Sequence, residues 1–137
     1  MVKCNSRIRV RYGETDQMGV AHHGAIVNWL EAGRVDWCRA VGIPYSEVEA
    51  AGFNMAVAEL TIRYLRPIFF DEEISIETVA EKFTARLILF RYIVKNSKGE
   101  PAAEGKTRHL VVGKSLKRMS LSHELLVRFR QAMEQDA

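Results

Sequence analysis

Residues 25–41 read AIVNWLEAGRVDWCRAV, a stretch with the period of a helix. Apolar or small residues recur along it in steps of three and four, at Ile26, Leu30, Gly33, Trp37 and Val41. This spacing predicts one helix that is packed along its whole length. Because glycine is a poor helix former, Gly33 within the stripe predicts a point where another backbone comes close. Gly42 stands where a helix cap is expected.

The chain after the long helix changes to the period of a β-sheet. A short helix is predicted around residues 45–51. Segments rich in Val, Ile, Phe, Tyr and Thr then predict strands at 53–66, 72–83, 86–95 and 102–112. Residues 96–99 read NSKG, and Asn and Gly both tolerate the left-handed backbone of a hairpin turn. The turn therefore predicts antiparallel pairing of the strands that it connects.

Both ends of the chain add one element each. Residues 6–12 alternate, with Ile8, Val10 and Tyr12 on one face, which predicts a half-buried strand. Residues 120–133 predict a closing helix, with Ser120 or Ser122 as its cap. The resulting order predicts an α+β fold, in which a five-stranded antiparallel sheet wraps one long helix. Such a sheet leaves edges exposed, so self-association is expected.

Length and composition narrow the class of protein. The 137 residues suit one domain, so residues 1–137 are predicted to form a single unit. No apolar run approaches the roughly 18 residues of a membrane span, and no secretory signal is recognisable, so a cytoplasmic location is expected. Cys4 and Cys38 lie far apart and are interpreted as ordinary thiols. The net charge of +3 is spread along the chain without an aromatic basic stripe, which disfavours nucleic-acid binding.

The loop before the long helix carries the densest set of functional groups. Residues 13–24 read GETDQMGVAHHG. The first N–H groups of a helix have no internal partner, so they can bind a carbonyl oxygen that is becoming negative. His23 and Gly24 are the candidates for that role, and Asp16 could attack the same carbonyl or direct water at it. A loop aspartate is also often a turn former or a helix cap, and both interpretations stay open.

Other chemistry has less support in the sequence. Neighbouring His22 and His23 point in different directions and no third ligand is suitably spaced, so no metal site is expected. There is no Gly-x-Ser-x-Gly elbow and no glycine-rich phosphate loop. Basic residues concentrate at Lys114, Lys117 and Arg118, where they could hold a phosphate-bearing ligand or form a solvated surface.

The loop and the segments around it resemble the 4-hydroxybenzoyl-CoA thioesterase family of hotdog proteins, in particular its short bacterial acyl-CoA thioesterases. The matching residues are Arg9 to Tyr12, Thr15-Asp16, Gly19-Val20, His23, Glu31, Arg34, Tyr64 to Pro67, Asp71 and Ala103 to Thr107. Nearly the whole chain is covered. The chain departs from the family at His22 and at residues 24–26, so the resemblance does not specify the acyl group.

The resemblance implies a hydrolase that splits an aromatic or short- to medium-chain acyl-CoA into the free acid and coenzyme A. It implies that Asp16 is the nucleophile or general base, and that N–H groups at the helix start polarise the thioester carbonyl. It places Arg86, Lys117 and Arg118 at the phosphates of coenzyme A, with no separate cofactor. Two subunits are expected to pair edge to edge with the active site between them, and many members are homotetramers. Acyl carrier protein is an alternative carrier.

Two other functions stay open on the sequence alone. One is a hotdog hydratase or dehydratase, in which Asp16 and His23 act on the carbon chain of a thioester as an acid and base pair. The other is a non-catalytic protein that binds acyl-CoA or acyl carrier protein in the same groove.

Overall fold

One long helix packs on a five-stranded sheet in the computed structural model, which describes residues 2–134. The elements are, in chain order, β1 (Lys3–Arg9), α1 (His23–Ala40), α2 (Tyr45–Ala50), β2 (Asn54–Tyr64), β3 (Glu73–Phe83), β4 (Leu87–Lys95), β5 (Pro101–Val112) and α3 (His123–Glu134). No helix within the described range is long and apolar enough to cross a membrane.

The strands form one antiparallel sheet in the order β1-β3-β4-β5-β2. The side chains of β4 alternate between a buried and a more exposed face of the sheet. Its buried residues are Ile88, Phe90, Tyr92 and Val94. Helix α1 contacts β1, β3 and β4. The predicted α+β fold, with a five-stranded antiparallel sheet and one long helix, is confirmed.

Helix α1 approaches the sheet most closely at Gly33. A methyl group on Gly33 would lie 2.5 Å from Oγ1 of Thr78 and 3.0 Å from Cγ2 of Ile76. A second close approach is at Gly105 of β5, where a methyl group would lie 2.8 Å from Cδ1 of Leu30. A close approach is thus found at Gly33, but it is made by side chains of β3 and not, as the sequence predicted, by another backbone. Glycine at positions 33 and 105 allows α1 to pack close to the sheet.

The first strand ends earlier than predicted. Strand β1 stops at Arg9, and Tyr12 is 80% exposed instead of lying on the buried face. The cause is a 3₁₀ turn over Tyr12–Glu14, closed by a hydrogen bond of 3.0 Å from the Glu14 N–H to the carbonyl of Arg11. The side chain of Glu14 is drawn inward instead. A period-two pattern cannot reveal this turn, because Tyr12 continues the alternation of the strand.

The long helix begins at His23, whereas the apolar spacing predicted a start at Ala25. The ring of His22 explains the difference, because its Nδ1 accepts a hydrogen bond of 3.1 Å from the Ala25 N–H. The same N–H also donates to the carbonyl of His22 at 3.1 Å, so His22 holds the first turn through both its ring and its backbone. The far end agrees with the sequence, since Gly42 follows the helix with φ +83°.

An aromatic cluster joins α3 to α1 and the sheet. Trp37 is fully buried at its centre, and its ring centroid lies 6.2, 5.2 and 6.2 Å from those of Phe83, Phe90 and Phe129. Phe83 and Phe129 also stack on each other at 4.4 Å. Ser122, one of the two predicted caps, accepts a hydrogen bond of 3.3 Å from an N–H in the first turn of α3.

A chain of buried hydrogen bonds crosses the core from α1 to β2. Nη1 of Arg34 donates to the hydroxyl of Tyr92 at 3.2 Å, and that hydroxyl lies 2.7 Å from Oγ1 of Thr107. Oγ1 of Thr107 is 2.8 Å from Nε2 of His109, whose Nδ1 is 3.2 Å from the carbonyl of Met55. Since a carbonyl only accepts, His109 carries its proton on Nδ1, and Thr107 donates to Nε2. Tyr92 then donates to Thr107, so all four hydrogen bonds point the same way, from Arg34 towards the carbonyl of Met55.

The stability of the fold should decrease as the pH falls from about 6.5 to about 4. Burial, with the charge of Arg34 adding to it, lowers the pKa of His109 from 6.5 to about 4. In this window the unfolded chain binds a proton that the folded chain does not, so protons favour unfolding by up to roughly 3 kcal/mol. Urea unfolding of the wild type and of His109→Gln between pH 7 and pH 4.5 measures this loss of stability.

The His109→Gln variant cannot titrate and should show a much flatter profile over that range. Carboxylates such as Glu14 and Glu77, whose pKa values are lowered from 4.5, begin to lose their stabilisation as the pH approaches 4.5, and they do so equally in both proteins. Equal slopes for the two proteins above pH 4.5 would contradict the assignment of the effect to His109.

Two buried threonines should respond oppositely to replacement by valine. Oγ1 of Thr78, which is 0% exposed, has no hydrogen-bond partner within residues 2–134, whereas Thr107, 4% exposed, bonds to Tyr92 and His109. An unpaired buried hydroxyl costs about 1–3 kcal/mol. Thr78→Val should therefore raise the free energy of unfolding by about 1 kcal/mol, and Thr107→Val should lower it by about 1–3 kcal/mol. Denaturant midpoints test the pair, and loss of stability in both variants would contradict the prediction for Thr78.

Candidate active site

Asp16 lies in a tight turn between β1 and α1. Its N–H donates to the carbonyl of Val20 at 2.9 Å, and its own carbonyl accepts from the N–H of Gly19 at 3.0 Å. Gly19 has φ +75°, a conformation that glycine adopts without strain. The carboxylate takes part as well, because Oδ1 accepts from the N–H groups of Met18 at 2.8 Å and Val20 at 3.2 Å.

The turn leaves half of the Asp16 carboxylate available. Oδ2 has no hydrogen-bond partner within the described residues, and the side chain is exposed. The two interpretations left open by the sequence are thus compatible, because one oxygen holds the turn while the other is free for chemistry. A carboxylate fixed through one oxygen presents the other in a defined direction.

The start of α1 supplies backbone donors next to this turn. The N–H groups of His23 and Gly24 have no acceptor among residues 2–134, since the cap formed by His22 satisfies only Ala25. Both residues are exposed at the positive end of the helix dipole. An oxygen that gains negative charge could therefore be stabilised there.

A cavity of about 380 Å³ lies between the Asp16 turn, the start of α1 and the chain that leaves β2. Its lining residues are Asp16, Val20, Ala21, His22, His23, Ile26, Tyr64, Leu65, Arg66, Pro67 and Ile68. The structure thus brings two predicted site residues, Asp16 and His23, to one cavity. Gly24 does not line it but follows His23 directly in the helix.

The side chains of the two histidines have separate roles, as their neighbouring positions predicted. His22 caps α1, while the ring of His23 packs edge-on against Tyr64 with 4.8 Å between centroids. No group of three metal-ligating side chains occurs in the described part of the chain.

Tyr64 and Arg66 are site residues to which the sequence assigned no role. Nη1 of Arg66 donates to the carbonyl of Pro101 at 2.6 Å, and Nε lies 3.6 Å from a carboxylate oxygen of Glu100. These contacts hold the guanidinium beside the cavity. The only signal in the sequence was the Tyr-Leu-Arg-Pro segment of the family resemblance, because strand periodicity alone does not distinguish a residue at a cavity from one at the surface.

Glu14 is a further residue whose role the sequence did not reveal. Although burial tends to raise the pKa of this carboxyl, hydrogen bonds from Arg11 and Trp29 and the charge of Arg11 outweigh it, and the pKa is lowered. Glu14 therefore carries a negative charge in the interior next to the Asp16 turn. Its spacing to Trp29, fifteen residues along the chain, follows neither strand nor helix period.

The predicted phosphate-binding residues lie elsewhere on the chain. Arg86 and Arg118 line a cavity of about 240 Å³ together with Arg108, which no pattern in the sequence indicated. Lys117 is exposed and does not line this cavity. Tyr64, which lines the cavity at Asp16, pairs with Ala103 of β5. Arg108 is five residues along β5 from Ala103, roughly 17 Å at the rise of a strand, so the basic cavity is separate from the one at Asp16.

Comparison with known proteins agrees with this fold. The model of the Thioesterase-like superfamily matches residues 10–129. YneP of Bacillus subtilis, which carries the provisional name of acyl-CoA thioesterase, is 32% identical over 107 residues, which is 78% of each chain.

Two solved structures are similar to this chain in both sequence and fold. A DHNA-CoA thioesterase from Staphylococcus aureus is 30% identical with a TM-score of 0.88, covering 96% of this chain and 89% of that one. The hypothetical protein TT1821 from Thermus thermophilus is 36% identical with a TM-score of 0.89, covering 98% and 100%. The predicted class of enzyme, a thioester hydrolase, is confirmed at the level of the family, while the roles of the site residues stay predictions. With its sequence and its fold both matching, the chain belongs to the Thioesterase-like superfamily.

Proposed function

We propose that this protein is an acyl-CoA thioesterase in which Asp16 acts on a thioester held at the start of α1. One observation carries the proposal: Asp16, with its free Oδ2, and His23, with its free N–H group, line one cavity, and the free N–H group of Gly24 follows directly in the helix. Acyl transfer needs these two elements, a carboxylate and donors for the developing oxyanion. The names of the relatives support the same chemistry.

The mechanism starts with the thioester carbonyl oxygen at the N–H groups of His23 and Gly24. In one route Oδ2 of Asp16 attacks the carbonyl carbon, the C–S bond breaks, coenzyme A leaves as a thiolate, and water then hydrolyses the mixed anhydride. In the other route Asp16 takes a proton from a water molecule that attacks the carbon directly, and the C–S bond then breaks as coenzyme A leaves as a thiolate. Both routes use the same geometry and release the free acid and coenzyme A.

The lining of the cavity favours an aromatic or a short- to medium-chain acyl group. Apolar surface comes from Ile26, Leu65 and Ile68, and the paired rings of His23 and Tyr64 offer an edge for an aromatic group. This lining supports our placement of the protein in the 4-hydroxybenzoyl-CoA thioesterase branch. A thioester on acyl carrier protein would present the same reacting group. We expect this activity in the cytoplasm.

The β2 edge of the sheet supports assembly of the protein from two copies. Strand β2 pairs only with β5 within the described residues, and its other edge carries exposed Val57, Leu60 and Tyr64. A long unpaired strand with apolar side chains is a template for a second strand. Pairing there would bring a second subunit beside Tyr64, and two such dimers would form the homotetramer that the family resemblance implies.

The basic cavity is the place proposed for the phosphates of coenzyme A. Arg86 and Arg118 converge there with Arg108, and Lys117 lies next to Arg118 in the chain. Arginine binds phosphate through paired N–H groups. Because this cavity is separate from the one at Asp16, a neighbouring subunit is the natural source of these arginines for a given active site.

Release of free thiol from a panel of acyl-CoAs tests the proposed function. Aromatic, short-chain and medium-chain esters should be compared, together with one enoyl-CoA and one acyl carrier protein thioester. Turnover of at least one ester supports the proposal and identifies the acyl group. Binding of all esters without thiol release would indicate a binding protein, and hydration of an enoyl-CoA without thiol release would indicate the hydratase alternative.

A further inference from the structure

The carboxylate of Glu14 is enclosed although it lies only two residues before Asp16 in an exposed turn. Glu14 is 8% exposed. Its Oε1 accepts from the backbone N–H of Arg11 at 2.8 Å and from Nε of Arg11 at 3.1 Å. Its Oε2 accepts from Nη2 of Arg11 at 3.0 Å and from Nε1 of Trp29 at 2.6 Å. Each oxygen has two donors, which is the condition for keeping a buried charge.

These contacts tie the Asp16 turn to α1 at two points. The side chain of Glu14 bonds to Trp29, a buried residue in the second turn of the helix. The backbone carbonyl of Glu14 accepts from the N–H of His22 at 3.0 Å, directly before the helix. The N–H groups of His23 and Gly24 lie between these two points of attachment. Glu14 therefore connects the segment that carries the carboxylate to the segment that carries the donors.

We propose that Glu14 is a positioning residue that sets the distance between Asp16 and the N–H groups of His23 and Gly24. The inference rests on the proposed function of the site. Glu14 has no contact with the substrate cavity and acts through its neighbours. Displacement of a reacting group by about 1 Å can lower a rate on the order of 100-fold, so a rigid link of this kind should increase the rate of turnover.

Glu14→Gln tests the link with little change in size. Because the amide nitrogen of glutamine would face N–H groups that need acceptors, two of the four hydrogen bonds are lost. We expect kcat to fall about 10- to 100-fold while KM changes less than about 3-fold, since orientation and not binding is affected. Trp29→Phe removes one donor of the same link, and the double variant should be no slower than Glu14→Gln alone.

Glu77→Gln is the matched control. The side chain of Glu77 is 18% exposed, close to the 11% of Glu14, and it pairs with Lys3 and Lys95 on the sheet far from the turn. Both replacements should lower Tm, but only Glu14→Gln should lower kcat. An unchanged kcat in Glu14→Gln, or effects of Glu14→Gln and Trp29→Phe that multiply in the double variant, would overturn the inference.

A second readout separates this inference from the proposed function. Wild type that hydrolyses no thioester would disprove the function, and the amide NMR spectrum then decides the role of Glu14. The amide resonances of Asp16, His23 and Gly24 should shift in both Glu14→Gln and Trp29→Phe, and stay in place in Glu77→Gln. Unshifted resonances in Glu14→Gln would reject the link between the turn and the helix whatever the reaction is.

Discussion

Asp16→Asn should lower thioester turnover by about 10²- to 10⁴-fold while the fold is retained. Asparagine keeps an acceptor oxygen for the N–H groups of Met18 and Val20, so the turn that Oδ1 holds should persist. The amide nitrogen that replaces Oδ2 can neither attack a carbonyl nor take a proton from water. The rate of thiol release with the best acyl-CoA measures the effect.

Asp36→Asn serves as the control for removal of a carboxylate. Asp36 pairs with Arg39 on the surface of α1 and lines no part of the cavity at Asp16, so kcat should stay within about 2-fold of wild type. Circular dichroism and Tm should be similar for both variants. If Asp16→Asn retains near-native turnover with every thioester that the wild type accepts, Asp16 is not the catalytic carboxylate.

Trp37→Ala should lower the free energy of unfolding by about 3–5 kcal/mol. Trp37 is fully buried, and three aromatic rings from β3, β4 and α3 surround it. Its removal leaves a cavity that these elements cannot fill without moving apart. Because Phe129 of α3 loses a stacked partner, α3 should be the first element to separate, and hydrogen exchange of its amides should increase most.

Trp37→Phe separates packing from hydrogen bonding at the same position. Phenylalanine keeps an aromatic ring but loses the bond of 3.2 Å from Nε1 of Trp37 to the carbonyl of Val2. The loss of stability should be smaller, about 1–2 kcal/mol. Equal losses in the two variants, measured by urea unfolding, would show that the hydrogen bond and not the aromatic cluster dominates.

The sequence was sufficient for the architecture because the fold depends on periodicities that one chain displays. The stripe from Ile26 to Val41 predicted α1, and the runs rich in β-branched residues predicted β2 to β5 within about two residues. Gly33 predicted the close approach to the sheet, since a glycine on a packed helix face lowers helix stability and indicates that a larger side chain does not fit there. Repeating, local patterns of this kind can be recognised in a sequence without knowledge of its tertiary contacts.

The parts that were missed depend on single contacts between distant residues. The outward turn at Tyr12 arises because Glu14 is held by Trp29, and the early start of α1 arises from a histidine cap. Arg108 joins Arg86 only after β4 and β5 pair, so their convergence is invisible in the linear sequence. For the candidate site, the sequence predicted Asp16, while the cavity wall at Tyr64 and Arg66 required the fold.

The directional hydrogen bonds in the core also constrain how this protein can evolve. Each hydrogen bond in the series fixes the direction of the next one, because every residue must donate to its neighbour. The residues involved are Arg34, Tyr92, Thr107 and His109. A mutation at one of them reverses or interrupts the series, so a single substitution is disfavoured even where a combined replacement by apolar residues would be tolerated. Among related sequences these four positions should covary as a group, whereas position 55, which contributes only its backbone carbonyl to the series, should be constrained by the packing of its buried side chain alone.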